Sequence, residues 1–337
     1  ERETGSFESV DKGSVFHWIL EQFGRMLEDE GNDWGSVTDE MADRMLDKLM
    51  ADAAGEFGAA FLYQDKRTAY QVERMRRILK RSILSMAFQA SRGLFIPKGY
   101  EVIFNRELKV PDGHNILLRG KIDRLEVFDD GKNCYVKVMD YKSGKKEFSF
   151  KDLYYGTQMQ LPLYLDEAVR MIKKQDPDKN VVPAALFYFL LKDPFFEEKD
   201  SGDKDTALKK KMRPNGRFSD EAQVLHALDT DPGKESLAVK MEINKGGECS
   251  ARSGVMSRYE MDSMLEFAGK KMDETGCEIL KGEIPVRPFE KACEYCPFKD
   301  ACPMDKRIKG FGALKAELSD KQARELICNK KKEGADE

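Results

Sequence analysis

Hydrophobic side chains recur at helical spacing over the first hundred residues and at alternating spacing after them. Phe16, Leu20, Phe23 and Leu27 share one helical face, which predicts a helix from Asp11 to about Glu30, capped by Asp11 or Ser14. Residues 38–64 carry a second helical pattern, interrupted by Gly and Ala between Ala54 and Ala60. Val72, Met75, Leu79, Ile83 and Met86 stripe a third helix, from about Lys66 to Ser91. Pro97 and Gly99 close the helical part. From Tyr100 the period becomes two: Val102, Phe104 and Arg106 alternate with Ile103, Asn105 and Glu107, and Pro111-Asp112-Gly113 makes a turn. Strands at 116–128 and 134–141 complete a three-strand meander.

A helix is expected from about Asp152 to Lys174. Pro162 demands a first-turn position, so that helix is placed to begin near Leu161. The unbroken apolar run from Val181 to Leu191 suits a buried central strand. The order strand, strand, strand, helix, strand argues an α/β core with a mixed sheet flanked by helices. Residues 194–256 are polar and turn-rich, and read as an insertion with one short β element near Leu237–Ile243. A helix from Ser257 to about Leu280 follows. The tail from Lys306 has a helical pattern, and 329–337 reads as disordered. The chain therefore divides into a helical part (1–99), a core (100–193), an insertion (194–256), a helix with a cysteine-rich loop (257–305) and a tail (306–337).

Candidate chemistry concentrates in the second and third strands. Val136, Val138, Asp140 and Lys142 share one parity, so Asp140 and Lys142 point the same way. If the loop of Asp129-Asp130-Gly131-Lys132-Asn133 is centred between Gly131 and Lys132, Asp123 lies directly opposite Asp140. Side chains so paired have Cβ atoms about 4.5–5.5 Å apart. Two carboxylates at that distance repel unless a cation lies between them, and a hard divalent ion with oxygen ligands is the natural occupant. Glu107 is a weaker candidate acid, with plain exposure the better reading. Gln160 and Tyr164 are four apart and share a helical face. His17 alone is a core or surface histidine by default.

Cysteines at 293, 296 and 302 have metal-ligand spacing, and the prolines after Cys296 and Cys302 stiffen the loop. A fourth thiolate is wanted, and Cys134, Cys249, Cys277 and Cys328 are the others in the chain. The 337 residues hold seven cysteines, 57 basic and 61 acidic side chains, for a net charge of −4. That balance excludes a general polyanion binder and leaves DNA contact to local surfaces. The most basic is the third helix, where Lys66, Arg67, Arg74, Arg76, Arg77, Lys80 and Arg81 oppose Glu73 alone; Arg74, Arg77 and Arg81 are the phosphate candidates, against the plainer reading of a solvated face. No apolar run nears the roughly 18–20 residues a bilayer span needs, no signal peptide is evident, and a cytoplasmic setting is expected. The chain begins at Glu1 without a methionine and reads as a piece of a longer polypeptide.

Gly13-x-x-x-His17, Gly120-Lys121-Ile122-Asp123, Asp140-Tyr141-Lys142-Ser143-Gly144, Gln160-x-x-x-Tyr164 and Cys293-x2-Cys296-x5-Cys302 occur in that order over residues 13–302. Together they resemble the PD-(D/E)XK nucleases of the RecB type, above all the nuclease domains of AddB-like subunits of bacterial ATP-dependent helicase–nucleases. The resemblance implies a restriction-endonuclease-like core. It implies Mg²⁺ or Mn²⁺ held by Asp123, Asp140 and the Tyr141 carbonyl, with His17 beside the metal. Lys142 would orient or activate water and offset transition-state charge. Gln160 and Tyr164 would position Lys142 or the DNA. The implied activity is exodeoxyribonuclease cleavage of a single strand delivered by a helicase, in recombinational repair, with an AddA-like subunit as partner and no membrane. Cys293, Cys296 and Cys302 would hold a [4Fe–4S] cluster, whose first cysteine in the family lies just upstream of the Gly-x-x-x-His helix. No cysteine precedes Cys134, so these residues supply one ligand too few. No Gly-x-x-x-x-Gly-Lys-Ser/Thr motif is present. A catalytically silent scaffolding module and a zinc-binding interaction domain on an unrelated core are the alternatives.

Overall fold

The computed structural model describes residues 9–57, 66–109, 115–194, 203–250, 253–283, 286, 288, 293–294, 296–302 and 317–329. Three helices come first: α1 (Ser9–Asp29), α2 (Asp39–Glu56) and α3 (Lys66–Arg92). Asp11 and Ser14 lie inside α1 rather than at its cap, because the helix starts at Ser9. Thr38 caps α2, its side-chain oxygen accepting from the Met41 N–H at 3.2 Å, and Asp39 and Glu40 suit the positive end of the helix.

Then come β1 (Ile96–Lys109), β2 (Asn115–Asp129), β3 (Asn133–Lys142), α4 (Phe150–Tyr154), α5 (Gln160–Gln175) and β4 (Asn180–Leu190). Pro97 and Gly99 belong to β1 instead of ending the helical part. The single helix expected from about Asp152 is two, and Pro162 falls in the first turn of α5, where no intrahelical N–H is needed. The β2–β3 register runs from Arg124↔Met139 to Asp129↔Cys134, centring the turn between Gly131 and Lys132. Gly131 adopts φ +90°, and the Asp129 and Asp130 carboxylates take the N–H groups of Gly131, Lys132 and Asn133. Those bonds hold the Asp130 carboxyl down to about 2.

β3 and β4 are parallel, joined through α5. The polar stretch after β4 contributes α6 (Lys204–Lys211), β5 (Asn215–Ser219), α7 (Ala222–Leu228) and β6 (Val255–Met256). β5 pairs antiparallel with β4, and β6 parallel with β5, so this stretch extends the sheet to the order β1-β2-β3-β4-β5-β6. Its strands are five and two residues long, too short to show a period in sequence. Residues 237–243 form no strand; Glu242 and Ile243 make isolated bridges to Glu235 and Cys249. α8 (Arg258–Leu280) and α9 (Asp320–Asn329) complete the described elements.

Contacts divide the chain into two compact units. The larger holds Glu1–Phe104, Gly120–Phe148 and Tyr164–Met261; the smaller holds Asn105–Arg119, Ser149–Leu163 and Asp262–Glu337. In the larger unit Phe16, Leu20, Leu46, Leu79, Ile83, Tyr141 and Phe187 belong to one buried cluster joining α1, α2 and α3 to the sheet. Val136 and Val138, of the other parity, are also buried. β4 is thus apolar without alternation because its strand lies inside the sheet and is covered on both faces. In the smaller unit α4 packs on α9, and Ser149 donates to Asp320 at 2.9 Å.

Candidate active site

Antiparallel pairing carries Asp123 of β2 opposite Asp140 of β3, one step beyond the Arg124↔Met139 pair. Asp123 is fixed by the Tyr141 backbone N–H, which donates to its Oδ2 at 2.7 Å. His17, from the middle of α1, reaches the same place. Its Nδ1 lies 3.3 Å from Asp123 Oδ1 and 3.2 Å from Glu101 Oε1, and its Nε2 lies 3.1 Å from the Tyr141 carbonyl oxygen. Both ring nitrogens therefore face only acceptors, so both carry protons and the ring is an imidazolium. Burial opposes that charge, but hydrogen bonds to Asp123 and Glu101 outweigh it and raise the His17 pKa to about 10.

Glu101 is the residue the sequence pattern did not reveal. It is buried, carries the left-handed φ of +50°, and pairs with Lys121 through its other oxygen. Strict alternation cannot bury neighbours, yet Tyr100 and Glu101 are both buried, and the unusual backbone at Glu101 makes that possible. A buried acid in a strained conformation is a functional signal that arises only in the folded chain. Burial pushes its carboxyl up, and His17 and Lys121 more than reverse that, leaving it below the ordinary range. Glu107 is exposed and accepts from Asn115.

Asp140 is 1% exposed, and burial together with the facing Asp123 pushes its carboxyl up to about 6. Lys142 stands 2.5 Å from Asp140 Oδ2 as an ion pair, yet neither Asp140 oxygen receives a properly directed hydrogen bond. Buried carboxylate oxygens without donors fit a cation. Among the described residues His17, Glu101 and Asp123 are the group whose ligand atoms lie within 4.8 Å of one another. Asp140 lies outside that group, on the adjoining strand; with the Tyr141 carbonyl 3.1 Å from His17 Nε2, the donor set is oxygen-rich with one imidazole, as a hard divalent ion requires.

Two glycine and aromatic positions support the hairpin. A Cβ on Gly120 would run into the Phe104 ring. Tyr164 stands edge-on to that same ring at 5.8 Å. Gln160 begins α5, half-buried, in the smaller unit. On the third helix, Arg77 and Arg81 both pair with Asp193, Arg76 with Asp43 and Asp47, and Lys80 with Asp39 and Asp43. The acids missing from the helix itself are supplied by α2 and by Asp193 in the segment after β4, while Arg74 is exposed. Cys293, Cys296 and Cys302 are half-buried free thiols that do not gather within 4.8 Å of one another; the described residues present no four-thiolate set.

The sequence pattern of the PD-(D/E)XK nuclease superfamily matches residues 2–303. Three curated relatives each bear the name of the B subunit of an ATP-dependent helicase/deoxyribonuclease. That of Alkaliphilus oremlandii is 32% identical over 90% of this chain and 28% of its own length. That of Lachnoclostridium phytofermentans is 31% identical over 92% and 28%. That of Clostridium acetobutylicum is 29% identical over 100% and 30%. The chain thus spans about three tenths of the length of the curated relatives it matches.

Proposed function

Because this chain belongs to the PD-(D/E)XK nuclease superfamily, we propose that it is a divalent-metal-dependent DNA-cleaving domain. The observation that carries the reading is the convergence of His17, Glu101 and Asp123 within 4.8 Å, with the Asp140–Lys142 pair on the adjoining strand. His17, Asp123, Asp140 and the Tyr141 carbonyl would hold Mg²⁺ or Mn²⁺, and Glu101 joins them as an acid in reach. Such an ion polarises a phosphoryl oxygen and lowers the pKa of bound water. His17 must give up a proton to ligate, so metal entry displaces the charge the imidazolium supplies. Lys142 orients the attacking water and places a positive charge where negative charge grows on the phosphate. Tyr164, held against Phe104, and Gln160 position the strand or Lys142.

The wider setting rests on the names of the relatives. We read the substrate as a single DNA strand delivered by a helicase, cut in exodeoxyribonuclease fashion during break repair in the cytoplasm, beside an AddA-like subunit. No helix among the described residues is long and apolar enough to cross a membrane. Cys293, Cys296 and Cys302 would supply three of the four thiolates of a [4Fe–4S] cluster. Arg74 is an exposed cation of the third helix and would meet phosphate. The test is cleavage of a single-stranded oligonucleotide with and without Mn²⁺. Asp123→Ala and Lys142→Ala should each abolish metal-dependent cutting, and the reading is wrong if both variants cut as well as the parent.

A further inference from the structure

A cleft of about 480 Å³ opens beside the acid cluster. His17, Glu101 and Lys121 form one side of it, and Trp18 and Phe57 contribute to its lining. The two aromatic rings meet edge to face, with centroids 6.0 Å apart and planes at 87°. Such a pair leaves both faces of the edge-on ring clear of its partner. Phe57 is 36% exposed, at the C-terminal end of α2, and Trp18 is only half-buried. Glu21 also lines the cleft. The carboxylates of Glu21 and Glu101 are offset in the lining by Lys121 and the His17 imidazolium, so no excess of positive charge draws a phosphate there, whereas a neutral base with a π-face is compatible with the aromatic wall.

Taking the nuclease reading as its basis, we propose that Trp18 and Phe57 stack the base of the nucleotide next to the scissile phosphate. The cleft shares His17 and Glu101 with the acid cluster, so a strand crossing the site has its neighbouring nucleotide within reach of the rings. A base can lie on an open aromatic face only when freed from its pairing partner and its neighbours. The cleft therefore selects single strands over duplex, and does so with little preference for sequence, since every base offers a π-face.

The test uses the 337-residue chain with Mn²⁺, a single-stranded oligothymidylate and the same strand carrying an abasic site at successive positions. Trp18→Ala should raise KM about tenfold, the size of one lost base–aromatic stack, with the loss falling on KM rather than kcat. Trp18→Phe should restore most of it. An abasic site at one position beside the cut should weaken the parent equally and add nothing to Trp18→Ala. An unchanged KM, or penalties that multiply, overturns the proposal. A second readout needs no turnover. The chain has two tryptophans, and Trp34 is 2% exposed. Oligothymidylate should quench the fluorescence of Lys142→Ala protein, and Trp18→Phe in that background should remove the quench. Quenching by a parent that does not cut keeps the stacking site and defeats the nuclease reading. Cutting without quenching or any KM effect defeats the stacking site alone.

Discussion

Two clusters of charge occupy opposite faces of the same hairpin, and their acids titrate in opposite directions. On one face Asp140 looks across at Asp123, and its carboxyl rises to about 6. On the other, Arg124, Glu126 and Lys137 lie in the hydrophobic core. Arg124 is 2% and Glu126 3% exposed; Arg124 Nε donates to Glu126 Oε1 at 2.7 Å, and Lys137, directly opposite Glu126 across the strands, pairs with its other oxygen. The guanidinium also stacks 4.2 Å from the Trp34 ring centroid, and the Lys137 ammonium lies 4.7 Å from that of Phe95. Burial pushes Glu126 up, but two cations prevail and lower it. Burial is common to both acids. What differs is the balance of charge around them: two cations close on Glu126, whereas Asp140 meets one cation, Lys142, and the facing carboxylate of Asp123.

The largest effect expected from breaking this contrast is catalytic. Lys142→Ala should cost about 100- to 1000-fold in metal-dependent cleavage, the range seen for removing one preorganised charge-stabilising group, while the thermal melt falls only by the loss of its partly exposed ion pair with Asp140. Glu126→Ala should do the reverse. Leaving Arg124 and Lys137 buried without an anion costs about 3–5 kcal/mol, read as a lower denaturant midpoint at unchanged slope.

A smaller effect sharpens the other face. In chelator, Asp140→Asn removes the repulsion from Asp123 and should stabilise the chain by on the order of 2 kcal/mol near pH 7. The folded pKa of Asp140 is raised, so the metal-free parent loses this stability as pH rises from about 4 through about 6. The variant should show no such decline, and added Mn²⁺ should raise the melting temperature of the parent but not of Asp140→Asn. Smallest of all, Arg77→Ala should change cleavage by less than about threefold, because that guanidinium already serves Asp193 at the surface. A larger, salt-dependent loss would mark the third helix as a phosphate track after all.

The opposition of Asp123 and Asp140 was legible because strand parity and a centred Asp-Gly turn determine it locally. So were α3, with its long regular stripe, and the apolar run of β4. Arg124, Glu126 and Lys137 were not. Charged side chains at alternate positions read as a solvated face, and only the packing of Trp34 and Tyr100 over β2 makes that face interior. Nor could periodicity expose β5 and β6, whose pairing with β4 and with each other comes from residues far apart in the chain.

Spacing within a few residues was enough to specify the local elements, the hairpin register and the types of side chain available for metal and phosphate chemistry. Folding in three dimensions brought His17 from α1 and Glu101 from a strained point in β1 to Asp123, and spent Arg76, Arg77, Lys80 and Arg81 of the third helix on acids from α2 and on Asp193. His17 and Glu101 are 84 residues apart, and Arg77 and Asp193 are 116 apart. No short-range pattern encodes which charge will arrive across such separations, because the packing of whole helices against the sheet decides it.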